Sequence, residues 1–113
     1  MKKFNMNNCP LTAALKVVGG KWKPIIIINL GKSSKRFGQL DFAIPEISRK
    51  VLTTHLSELV RDGMVIRNSF PETPPRVEYK LTEKARELVP ILKNFGEWGR
   101  FLLEEEHQGD EVS

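Results

Sequence analysis

The spacing of apolar residues changes once along this chain, and that change limits its fold more than any other feature. From Ser48 to Gly63 the positions Leu52, Leu56 and Leu59, with Val60 at their edge, recur at helical spacing. Ser48 is placed to cap the start of this helix and Asp62-Gly63 to stop it. From Met64 the period falls to two. Met64, Ile66 and (two positions past Asn68) Phe70 point one way, while Val65, Arg67 and Ser69 point the other. After Pro71-Glu72-Thr73-Pro74-Pro75, the residues Val77, Tyr79 and Leu81 alternate with Arg76, Glu78 and Lys80. Two alternating runs joined by a proline-rich turn predict an antiparallel hairpin.

Helical patterns surround this pair. Pro10 opens a segment with Leu11, Ala14, Leu15 and Val18 at helical spacing, ended by Gly19-Gly20. Phe37, Leu40 and Ala43 mark a short helix stopped at Ile44-Pro45. Thr82 is expected to cap a long helix with the stripe Leu88, Ile91/Leu92, Phe95, Trp98/Gly99 and Leu102, bent near its second turn by Pro90. The remainder, Glu104 to Ser113, is acidic and expected to fray. Between Lys21 and Gly31 the run Ile25-Ile26-Ile27-Ile28 is ambiguous. Its β-branched residues read as a buried strand, whereas Pro24 in a first turn and Gly31 as a stop favour a buried helix.

With 113 residues the chain holds one domain, and 40% hydrophobic with 28% charged residues describe a globular one. No apolar run approaches the ~20 residues of a membrane span. Residues 1–8 lack the apolar stretch of a secretory signal, so a cytoplasmic location is expected. The single cysteine, Cys9, excludes an internal disulfide and leaves a zinc site short of ligands.

Charge is unevenly distributed. Residues 1–40 carry eight basic side chains and no acid, residues 41–81 six of each sign, and residues 82–113 four basic against eight acidic. Such a gradient suits a molecule whose one end meets a polyanion, although a lysine-rich solvated surface would show it too. The element order is helix, helix, short helix, turn, longer helix, hairpin, long helix. It describes a winged helix-turn-helix: mainly α with a small β-hairpin wing (α+β). The expected domain spans residues 9–103 after an arm of residues 1–8. Its helix-turn-helix falls at about 36–62, its wing at 64–81 and its last helix at 83–103, before the acidic tail 104–113. With the leucines turned inward, the second helix presents Lys50, Thr53, Thr54, Ser57 and Arg61, with Ser48 and Arg49 at its N-terminus. Arg76, on a turn stiffened by two prolines, is the expected wing contact, and Arg36, with Lys35, a backbone contact.

The chain resembles the HxlR-type family of bacterial winged-helix transcriptional regulators from Cys9 to about Gly99. The matching stretches begin with Cys9-Pro10, Gly19-Gly20-Lys21-Trp22, Arg36-Phe37 with Leu40, and Ile44-Pro45 through Ile47-Ser48. They continue through Val51-Leu52-Thr53 with Leu56, Asp62-Gly63, Pro74-Pro75-Arg76-Val77-Glu78-Tyr79 with Leu81-Thr82, Pro90 and Trp98-Gly99. Ala85, where the family usually has glycine, and Pro24 depart from the pattern away from the expected DNA face. The resemblance implies a homodimer built through the first and last helices and bound to inverted repeats in double-stranded DNA. It also favours helix over strand for Ile25 to Ile28. Independently, Phe95, Trp98, Phe101, Leu102 and Leu103 give the last helix more apolar surface than one small core needs, though part of that stripe is expected to pack inward. Leu11, Leu15, Phe95, Trp98 and Leu102 are the expected interface residues.

Cys9 precedes Pro10 and so stands at a helix N-cap, where the helix dipole favours a thiolate, with Lys2 and Lys3 near in sequence. Several members of the family respond to oxidants or electrophiles through a cysteine at this position, so an oxidant or small-molecule signal is expected; the alternative is an inert thiol. No cofactor, metal or enzymatic activity is expected. His55 and His107 lack a carboxylate or nucleophile at motif spacing, and no glycine-rich loop follows a strand. A protein-docking module and a small basic RNA binder are the competing functions. RNA readers expose stacking aromatics, whereas Tyr79 and the phenylalanines are expected at core positions.

Overall fold

The isoleucine run resolves as helix. In the computed structural model, which describes residues 5–112, Trp22–Leu30 forms the second of five α-helices. Pro24 lies in its first turn, where an amide has no intrahelical partner to lose. Ile26, Ile27 and Leu30 are completely buried. Burial of so much apolar surface outweighs the mild helix penalty of β-branched residues, which is tenths of a kcal/mol each (at most ~0.7) against ~1.5–3 kcal/mol per buried side chain.

A single 3-10 turn, Met6–Asn8, leads into helix α1 (Pro10–Val18), with Cys9 at the N-cap and Pro10 at the first helical position. Gly19 follows because a Cβ there would collide with the carbonyl of Leu15. Then come α2 (Trp22–Leu30), a two-residue strand β1 (Lys35–Arg36), α3 (Phe37–Ala43) and α4 (Arg49–Arg61). Strands β2 (Val65–Phe70) and β3 (Arg76–Leu81) and helix α5 (Glu83–Val112) complete the chain. The expected hairpin is thus one part of a three-stranded antiparallel sheet of order β1-β3-β2, in which Lys35 pairs with Tyr79 and Arg36 with Glu78.

The turn between α3 and α4 is pinned by Ile44 and Ile47, both buried. α4 begins where the Ser48 hydroxyl accepts the Val51 N–H at 3.1 Å. It ends in a Schellman motif, with the Met64 N–H bonded to the Leu59 carbonyl and the Gly63 N–H to that of Val60. Gly63 holds φ +74°, the left-handed conformation that such a stop requires. The Thr82 hydroxyl donates to the Gly63 carbonyl at 2.9 Å and accepts the Ala85 N–H at 3.3 Å. One side chain therefore ties the end of α4 to the start of α5.

The core gathers Val18, Ile26, Ile27, Leu30, Leu40, Ile44 and Ile47 with Leu52, Leu56 and Leu59 of α4 and Met64, Val65, Leu81 and Ala85. Only the first turns of α5 join it, through Ala85, Leu88, Val89 and Leu92. The stripe expected along that helix leaves the core after Leu92: Phe95, Trp98 and Leu102 are exposed, as is Ile91. Pro90 is accommodated inside α5, and the acidic segment expected to fray is helical as far as Val112. Lys2, Lys3 and Ser113 lie outside the described residues. No helix among the described residues is long and apolar enough to cross a membrane.

Candidate nucleic-acid interface

α4 is anchored by three fully buried leucines, so its opposite face is fixed toward solvent. Lys50, Thr53, Thr54, Ser57 and Arg61 are all exposed on it, with Ser48 and Arg49 at its start. The side chains differ in how engaged they are. Ser48 caps the helix, and the Thr53 hydroxyl donates back to the Arg49 carbonyl at 2.8 Å. Arg49 Nε meets Asp41 Oδ2 at 3.1 Å, yet its side chain remains 81% exposed. A pair so open to water is worth ~0–1 kcal/mol and yields readily to a phosphate. Lys50 and Thr54 have no side-chain partner among the described residues. Ser57 is likewise unpartnered on this face.

Helix α4 is also fastened sideways. Lys23 of α2, 11% exposed, pairs with Glu58 Oε1 at 2.9 Å, and His55 Nδ1 lies 3.3 Å from the same oxygen. Sequence spacing missed this His–carboxylate contact, which arises from the i, i+3 register of one helix. The bond from Lys23, and then the contribution of His55, hold the Glu58 carboxyl below its ordinary range. The cluster ties the flank of α4 to α2.

The wing differs from expectation in detail. Arg76 does not stand free at the turn. Its guanidinium lies 4.2 Å above the Phe70 ring, Nη2 is 3.3 Å from Glu72 Oε1, and Nε is 3.5 Å from Glu78 Oε2. The last contact is electrostatic only, because Nε has no hydrogen-bond partner. Arg36 is exposed at the N-cap of α3, where its backbone N–H donates to Gln39 Oε1 at 2.8 Å. Lys35 is half-buried and bonds Ser33 Oγ at 3.0 Å.

Sequence reasoning missed Arg67. The strand register pairs Arg67 with Tyr79 and Val65 with Leu81, which places all four on the hairpin face turned toward α4. Between that face and the helix lies a cleft of about 540 Å³ lined by Thr53, Ser57, Val60, Arg61, Arg67 and Tyr79. The alternation around Met64 already set Arg67 beside Val65; which face turned inward was the undetermined part.

On α1 and α5, Leu11, Leu15, Phe95, Trp98 and Leu102 are each more than half exposed. The Phe95 and Trp98 rings lie nearly parallel, 6.1 Å between centroids. The expectation that the phenylalanines occupy the core is corrected: Phe42 is 89% exposed, and Phe95 and Phe101 are also open.

Cys9 holds the N-cap of α1, half-buried, and as a thiol closes no cap hydrogen bond. The hydroxyl of Thr12, then its backbone N–H, favours the thiolate and draws the pKa below its ordinary value, while partial burial opposes them.

A core-anchored second helix, a tight turn before it and a sheet wing after it define a winged helix-turn-helix. The HxlR-like helix-turn-helix model matches residues 17–107, and the chain belongs to that family of transcriptional regulators. An HTH-type transcriptional regulator of Halalkalibacterium halodurans is 44% identical over 99 residues, covering 87% of this chain and 88% of that one. The redox regulator HypR in its reduced form is 41% identical with a TM-score of 0.79, covering 86% of this chain and 99% of that one. The reduced form of the transcriptional regulator YodB from B. subtilis is 37% identical with a TM-score of 0.70, covering 80% and 90%.

Proposed function

We propose that two copies of this chain bind one inverted repeat in double-stranded DNA and regulate transcription from it. The observation that carries this reading is the outer face of α4, held outward by three buried leucines and presenting Lys50 and Thr54 unpartnered. In this reading α4 enters the major groove, where Ser48, Arg49, Lys50, Thr53 and Thr54 reach base edges and flanking phosphates. Arg36 meets the backbone beside α3. Arg76 serves at the wing by exchanging Glu72 for a phosphate. Leu11, Leu15, Phe95, Trp98 and Leu102 form the interface between the two copies, which accounts for their exposure on a single chain.

Cys9 is the signal-receiving group. Its tuned thiol at the start of an interface helix supports this role, as does the likeness to the redox regulator HypR and to YodB, which has a diamide-treated form. Replacement C9S should leave DNA release by diamide or a quinone absent; unchanged release would remove Cys9 from the mechanism.

The test of the reading is capture of genomic duplex fragments by the reduced protein, at physiological salt with excess competitor DNA. Wild type should retain a few fragments that share an inverted repeat. The double variant K50A/T54A should still bind duplex non-specifically but lose preference for those fragments, at ~1–3 kcal/mol per lost base contact. A variant with undiminished preference would show that α4 is not the reader. Retention of RNA in place of duplex would replace the reading altogether.

A further inference from the structure

We propose that the cleft between α4 and the inner face of the β2–β3 hairpin seats a backbone phosphate of the bound duplex, with Arg67 as the gripping cation and the Tyr79 hydroxyl as a second donor. This rests on the duplex-binding reading above and adds residues to it.

The placement follows from strand register. Val65 and Leu81 are opposite each other and buried at 2% and 3% exposure, which fixes the inner face of the hairpin at its base. Two residues further out, the same face carries the exposed Arg67 opposite Tyr79, which is half-buried against the edge of the core. Lys35 of β1 is the Cα partner of Tyr79 on its other side. A tyrosine flanked by two cations therefore crosses the sheet. The facing wall is α4, which contributes Thr53, Ser57, Val60 and Arg61.

The charges in the cleft are not equivalent. Arg61 is held by its neighbour Asp62 through Nε at 3.1 Å and Nη2 at 3.3 Å. Arg67 has no carboxylate within 4.0 Å among the described residues, and no acidic side chain lines the cleft. Arg76, the cation on the other face of the hairpin, lies between Glu72 and Glu78. Arg67 is thus the cleft cation with an unmet demand for an anion.

Geometry names the anion. A helix ~10–12 Å across fills a major groove ~12 Å wide, so the sugar-phosphate strands run along both its sides. On the wing side, the space between helix and hairpin is this cleft. A strand bordering the groove read by α4 brings its phosphates to the open guanidinium of Arg67 and the hydroxyls of Tyr79 and Ser57.

The test is the salt dependence of binding to a mixed-sequence duplex of about three helical turns (~30 base pairs), since a phosphate contact needs no particular sequence. Arg67 is exposed, and R67Q keeps its length without its charge; a thermal melt checks that the variant is folded. A fourfold rise in salt, from about 50 to about 200 mM, should weaken wild type about 3.5-fold more than R67Q, the share of one released counterion. R67K should restore the wild-type slope. Y79F should lose affinity at unchanged slope, because a neutral hydroxyl displaces no counterion. If R67Q keeps the wild-type slope, the seat is overturned while duplex binding stands. The seat is likewise overturned if R67Q abolishes binding of free inorganic phosphate without altering that slope, since the cleft then serves a small anion. If wild type binds no duplex at all, the functional reading falls and the seat with it.

Discussion

Single side chains set the division of labour in this molecule. Arg49, Arg61, Arg67 and Arg76 all lie on or beside the α4–wing surface, and sequence ranks none above another. Their partners do: Asp41 for Arg49, Asp62 for Arg61, and Glu72 with Glu78 for Arg76. Cys9 is differentiated in the same way by Thr12. Because its pKa is lowered, more thiolate is present at any pH below the ordinary value of 9.0. Alkylation by iodoacetamide should therefore reach half its limiting rate at a pH below 9.0. Removal of the Thr12 hydroxyl in T12V should move that midpoint upward, part of the way back, since the backbone N–H groups remain. An identical profile in both proteins would show that Thr12 does not tune the thiol. The N-cap position of Cys9 was legible from Cys9-Pro10 alone; its tuning was not, because it depends on which rotamer a neighbouring threonine adopts.

At the scale of elements, α4, the hairpin and α5 are legible because each has one strong period and a chemical stop. Ser48, Gly63 and Thr82 act at the ends where the sequence placed them. The isoleucine segment defeats periodicity, since a helix buried on nearly every side has no polar face to reveal its turn. Strand β1 is too short to alternate, and only its pairing with β3 makes it a strand. The hairpin's inner face was concealed for a related reason. Both sets of alternating residues contain apolar members, and burial of Val65 with Leu81 decides between them. α5 carries the consequence with most leverage. Truncating an exposed side chain of a monomer changes stability by only about ±0.5 kcal/mol, whereas central interface aromatics often exceed ~2 kcal/mol. F95A/W98A should accordingly shift sedimentation from two copies to one and abolish the rise of the thermal midpoint with protein concentration expected of a wild-type dimer. A variant that sediments as wild type would place the interface elsewhere.

For the whole molecule, the gradient of charge along the sequence is only a partial guide to the interface. Lys23, in the basic first third, is turned inward to Glu58, whereas the open Arg67 comes from the electrically neutral middle. Folding redistributes charge by face. α4 and the wing form the proposed reading surface, whereas α1 and the outer length of α5 carry exposed apolar side chains. In the proposed dimer, two-fold pairing through these apolar side chains sets two copies of the α4–wing surface side by side. In that proposed arrangement the two α4 helices are expected about one DNA turn apart (~34 Å, or a multiple).

The central claim is tested most directly by hydroxyl-radical footprinting of the reduced protein on a captured genomic fragment. Two protected segments should appear, related by a two-fold axis and centred on an inverted repeat, with half-sites about 10–10.5 base pairs apart or a multiple of that spacing. A single unsymmetric protected segment, or protection indifferent to sequence, would contradict a two-fold reader built on α4.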